Sequence, residues 1–162
     1  MKNIFKKVLL ISSLLFLINP LCSLAMPIDI AEDYVKKGDD LINAFTPDAL
    51  FIEFKEKSNN NTIKKAIEFY NQAIQAAPNY IYPYLKKGCL LYIRHKYKEA
   101  LVSLNKAIKI SPASMNQNIL ISGHSFSVYW VIAQSYFGLK QYDNVVKQFQ
   151  LIGKSNPKNL VN

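Results

Sequence analysis

The sequence predicts an all-α fold, an α-solenoid of about three stacked helix-turn-helix repeats. Insertions are expected in the first repeat and between the second and third. Three observations carry this. Gly88, Ala100, Leu104, Ala107 and Pro112 form a pattern whose last four members recur 34 positions earlier as Ala66, Tyr70, Ala73 and Pro78, and a fixed period in that range marks a repeat array. Apolar residues then recur at three- and four-residue spacing, as in Ala31, Tyr34, Val35, Leu41, Ile42 and Phe45, the sign of helices with one buried face. No stretch alternates apolar and polar residues convincingly, so no strand is predicted.

The first 25 residues stand apart from this pattern. Lys2, Lys6 and Lys7 precede an apolar run from Val8 to Ile18, followed by Ser23-Leu24-Ala25, the layout of a bacterial-type secretory signal peptide. The run is too short to cross a bilayer core of about 30 Å, so cleavage near Ala25-Met26 is expected in preference to a retained anchor. The exported chain, residues 26–162, would then be periplasmic or secreted, with no transmembrane span. Lipoprotein processing at Cys22 is disfavoured because Leu21, not a small residue, precedes it. Losing three lysines and no acids lowers the net charge from +9 to +6. One cysteine, Cys89, remains, so no internal disulfide can form. It lies in an apolar helical pattern and reads as a small buried hydrophobe.

The elements follow in order. A first helix is expected over about Ile30–Phe45, and Tyr34, Gly38 and Leu41 in it match Tyr84, Gly88 and Leu91 at an offset of 50, one period plus 16. Thr46-Pro47-Asp48 reads as a turn or new helix start, Ala49–Lys57 as a short helical piece and Ser58–Asn61 as a polar loop. A helix from about Thr62 to Ala76 stops at Pro78. The next pair occupies about Ile81–Ile93 and Tyr97–Ile110, with Pro83 tolerated in a first turn. Residues 113–125 form the second insertion, and Ile119-Leu120-Ile121 should pack it against the array. The last pair spans about Phe126–Gly138 and Tyr142–Lys154. Small residues at Gly88, Ala100 and Ala133 let paired helices approach, while Leu91, Leu104, Tyr136 and Phe149 fill the space between them.

These residues resemble the tetratricopeptide repeat, a 34-residue helix-turn-helix unit with small and large residues at set positions. The middle unit, residues 81–114, carries Tyr84, Gly88, Leu91, Tyr97, Ala100, Leu104, Ala107 and Pro112. The third, residues 126–159, carries Tyr129, Ala133, Tyr136, Tyr142, Val145, Phe149, Ile152 and Pro157, and the first, about residues 30–80, is split by its insertion. The resemblance implies a partner-binding concave face built from the first helix of each repeat. Carried over by position, that face presents Tyr82, Leu85, Cys89 and Tyr92 in the middle repeat and Ser127, Trp130, Gln134 and Phe137 in the third. Glu32, Val35, Asp39 and Ile42 would be the counterparts in the first. A trough of this kind suits an apolar peptide or helix from a protein partner. The same side chains could instead pack against the 113–125 insertion.

The residues give no reason to expect an enzyme, a metal or a cofactor. His95 falls in a turn. Gly123-His124-Ser125 begins like a nucleophile elbow but lacks the closing glycine and a preceding strand. Asp39-Asp40 reads as solvated helix surface. The expectation is an exported, non-enzymatic adaptor. Its last helix would leave Val146, Phe149 and Ile152 partly uncovered, which allows self-association. The alternative is a basic helical-repeat binder of nucleic acid, opposed by the scatter of Lys36, Lys86, Lys96, Lys106, Lys109 and Lys147 along the sequence.

Overall fold

A computed structural model describes residues 26–44 and 57–155. The expected leader, the first part of the short helical piece, and Pro157 lie outside them. Six helices dominate the described chain: α1 (Met26–Asn43), α2 (Lys57–Ala76), α3 (Tyr82–Ile93), α4 (Tyr97–Ile110), α5 (Val128–Gly138) and α6 (Tyr142–Ser155). They pack in consecutive pairs, α1 with α2, α3 with α4 and α5 with α6, and each pair contacts the next. This is an all-α array of the tetratricopeptide type.

The pairing follows from the small residues. A Cβ on Gly88 would lie 2.6 Å from Cγ and Cδ2 of Leu104, so only glycine lets α3 come this close to α4. The first pair repeats the contact: a Cβ on Gly38 would lie 2.6 Å from the ring of Tyr70. The turns repeat as well. After α3, Lys96 N–H bonds to Leu91 C=O and His95 N–H to Tyr92 C=O; after α5, Gln141 bonds to Tyr136 and Lys140 to Phe137 in the same way. Both turns are Schellman closures. Each places a non-glycine residue in the left-handed region, His95 at φ 56° and Lys140 at φ 59°.

Two expectations are corrected. Residues 58–61 are the first turn of α2, not a loop. Serine and asparagine are compatible with a first turn, where the backbone N–H donors have no intrahelical acceptors. The second insertion is not strandless. Beyond a 3-10 turn at Pro112–Asn116 it forms a hairpin, β1 (Asn118–Ile121) antiparallel to β2 (His124–Ser127). Its two-residue loop, Ser122-Gly123, has φ of 46° and 79°, a turn whose twist matches that of the flanking strands and which favours glycine. The elbow-like Gly123-His124-Ser125 is therefore the exit from a hairpin turn. Phe126 and Ser127, expected to open α5, belong to β2.

The hairpin packs against the array as its isoleucines predict. Ile119, Ile121 and Phe126 are buried in the same apolar cluster as Leu85, Cys89, Val128 and Ile132, and β1 contacts both α3 and α1. In the last pair, Ala133 is buried, but Phe149 is exposed instead of filling the interior. No described element covers that side of α6, so Val146 and Leu151 are exposed with it. The side chain of Ile152 lies outside the described residues.

Candidate interaction surface

Positions 82, 85, 89 and 92 share one face of α3, and 130, 134 and 137 share one face of α5, because a helix turns about 100° per residue. The structure divides this set. Leu85 and Cys89 have 0% of their surface exposed. They cannot touch a partner, and the expectation that they would is corrected. Both are short enough to sit below the aromatic rings and join the core that the hairpin completes. Burial pushes the Cys89 thiol up to about 12, against the weaker opposing pull of Lys86, so it is not a reactive thiolate.

The aromatic members stand out from that floor. Tyr82 is exposed and packs its ring against Tyr80, 5.7 Å between centroids. Tyr92, from α3, meets Trp130, from α5, edge to face at 5.6 Å, and also contacts Tyr97 at 6.2 Å. Trp130 is 43% exposed. Phe137 is 58% exposed and lies 5.8 Å from Tyr142 across the α5–α6 turn. Gln134 is half-buried. Burial raises the Tyr92 hydroxyl above the usual tyrosine range, with a further push from Tyr97. Tyr80 is raised first by burial and then by the charge of Glu32. Both phenols stay protonated at neutral pH and offer hydrogen-bond donors. Of the first-repeat counterparts, Val35 and Ile42 are buried and Glu32 is exposed.

Asp39 is not the solvated residue the sequence reading made it. Its Oδ1 accepts from the Tyr70 hydroxyl at 2.6 Å, and its Oδ2 accepts from Lys86 Nζ at 3.0 Å. Lys86 also donates to the Leu120 carbonyl on β1 at 2.9 Å. Side-chain exposure of the ion pair is 16% for Lys86 and 26% for Asp39. Burial, and next the charge of Asp39, drive the Tyr70 phenol far above the ordinary tyrosine range. The chain of contacts joins α2, α1, α3 and the hairpin, and it holds the floor of the aromatic face in place. Sequence spacing gave no hint of it, since its members lie 31, 47 and 34 residues apart.

Among the described residues, no three His, Cys, Asp or Glu side chains gather as metal ligands would. His95 sits exposed in its turn, with Nδ1 2.7 Å from the Tyr97 hydroxyl. No helix among the described residues is long and apolar enough to cross a membrane. Compared with known proteins, residues 56–80 match the tetratricopeptide repeat family. That segment spans α2 and the turn closed by Pro78. No curated protein matches the chain. In that matched segment, and in the paired helices that surround it, this chain is similar to tetratricopeptide-repeat proteins.

Proposed function

We propose that this chain is an exported, non-enzymatic adaptor that holds a protein or peptide partner on the aromatic face of α3 and α5. The observation that carries the proposal is the Tyr92–Trp130 pair, which bridges two repeats while Tyr82, Trp130 and Phe137 remain exposed. Tryptophan and tyrosine are favoured centres of binding energy because they bury large areas with few rotamers to fix. The resemblance to tetratricopeptide repeats, which commonly serve as scaffolds, supports the same reading. The leader-like first 25 residues support export. The exposed Val146, Phe149 and Leu151 on α6 support self-association or a second contact at that end.

The test is affinity capture from envelope extract with residues 26–162, run beside a folded Tyr82→Ala/Tyr92→Ala/Trp130→Ala variant. A protein retained by the wild type and lost by the variant supports the aromatic face. Equal retention by both moves the site elsewhere. Light scattering of the wild type beside Phe149→Asp tests the α6 end: a concentration-dependent mass that the variant abolishes supports self-association, and a strictly monomeric wild type refutes it.

A further inference from the structure

On the side of α3 turned roughly 150° from the aromatic face, α2, α3 and α4 enclose a groove of about 690 Å³. Its floor is apolar, with Ile67 from α2 and Leu91 from α3, and Val102 from α4 stands at its edge. Val102 is 72% exposed, an aliphatic side chain left in water beside the groove. Around the floor stand four lysines, Lys87, Lys96, Lys106 and Lys109, and one acid, Glu99. Lys96 lies 3.9 Å from Glu99. Lys106 and Lys109 are exposed and have no hydrogen bond or ion pair among the described residues. The lysines looked scattered in sequence. Folding gathers three of those singled out there into one groove, while Lys86 is consumed by Asp39 on the other side of α3.

We propose that this groove binds a short acidic amphipathic peptide segment of a partner protein. Its apolar side chains would lie on Ile67, Leu91 and Val102, and its carboxylates on Lys87, Lys106 and Lys109. Charge complementarity selects this occupant. A second copy of the chain, net positive with or without its first 25 residues, brings the wrong sign. Single-stranded nucleic acid calls for exposed aromatic faces on which bases stack, and the one ring among the groove's lining residues is the buried Tyr84, whose hydroxyl is already donated to Pro78 C=O at 3.0 Å. The size fits. From Glu99 to Lys109 the wall of α4 runs about 15 Å, the length of about three helical turns or about five extended residues. Lys87 has a specific reason to bind a carboxylate: burial lowers it from the ordinary lysine range, and among the described residues its ammonium donates only to the neutral Asn71 Oδ1, at 2.7 Å. An incoming carboxylate would offset the desolvation that burial imposes on the ammonium.

The experiment is fluorescence anisotropy of the full-length chain with a fluorescein-labelled peptide of glutamates and leucines, the leucines at helical spacing. Two control peptides replace every glutamate by lysine, or every leucine by serine. Saturable binding of the first peptide alone is expected, weakened about tenfold or more by Lys106→Glu/Lys109→Glu and by Val102→Asp, and by added salt. All three substitutions lie on exposed side chains, so folding is preserved. Trp130→Ala should leave the affinity unchanged, which separates this groove from the aromatic face: loss in that variant overturns the assignment to the groove. Absence of binding, binding that survives the charge reversal, or equal binding of the serine peptide or of a short single-stranded RNA also overturns it.

Discussion

Replacing Asp39 by alanine removes the acceptor at the centre of the Tyr70–Asp39–Lys86 chain, and the cost can be worked from its parts. The Tyr70 side chain is fully buried, so its hydroxyl would be left without a partner at a cost of about 1–3 kcal/mol. The Asp39–Lys86 pair is only partly buried, and solvent screening holds its share to about 1 kcal/mol or less. Asp39→Ala should therefore destabilise the fold by about 1–4 kcal/mol. Asp39→Asn keeps an oxygen for the Tyr70 hydroxyl and loses only the ion pair, so about 1 kcal/mol is expected. Tyr70→Phe in the Asp39→Ala background removes the orphaned hydroxyl, and the double variant should recover about 1–2 kcal/mol relative to the summed single losses. Urea unfolding followed by far-UV circular dichroism reads these values from shifts in midpoint at constant m. Additive single effects, or an Asp39→Ala midpoint equal to wild type, would show that the contacts carry no coupling energy.

Three further outcomes are expected. Stability should fall above pH 9 because Cys89 and Tyr70 are raised in the folded state. The unfolded chain then loses these protons first, so stabilisation is complete below the unfolded value and disappears as pH climbs toward the folded one. For Cys89, the gap between 9.0 and about 12 corresponds to about 4 kcal/mol at most; urea midpoints of Cys89→Ala should show a shallower alkaline limb, and an unchanged limb would refute that share. Lys140→Gly should raise stability by about 1 kcal/mol, since a side chain in the left-handed region is strained; a thermal midpoint that fails to rise would contradict the Schellman geometry. Gly123→Val should destabilise by about 1 kcal/mol or more and loosen the hairpin, read as faster amide exchange at Ile119 and Ile121.

The pairing of the helices was legible because it depends on local spacing. Gly88 opposite Leu104 and the pattern from Ala66 to Pro78 are short-range facts, and the bounds of α3 and α4 follow from them within a residue or two. The hairpin was missed because each strand has only four residues, too few for alternation to be visible. Its one sequence signal was Ser122-Gly123 between apolar flanks, a two-residue turn pair. The candidate face was half legible. Repeat position identified Tyr82, Tyr92, Trp130 and Phe137 as a set, but Leu85 and Cys89 share that face and are closed off by long-range packing. The lysine groove was illegible for the same reason. Lys87 on one helix and Lys106 and Lys109 on the next become neighbours only when α3 and α4 lie side by side.

A simple stack of helix pairs unfolds like a zipper, since each unit touches only the next and an end can open without the rest. The hairpin changes that mechanical character. Carried between the second and third pairs, it reaches back to α1 and accepts a hydrogen bond from the Lys86 that grips Asp39. Opening the first pair must break the Asp39–Lys86 bond to α3 and the packing of α1 on β1 as well as its contacts with α2. The molecule is thereby made into a clasped ring of contacts, and its outermost described helix α1 should exchange its amides with the core instead of fraying ahead of it.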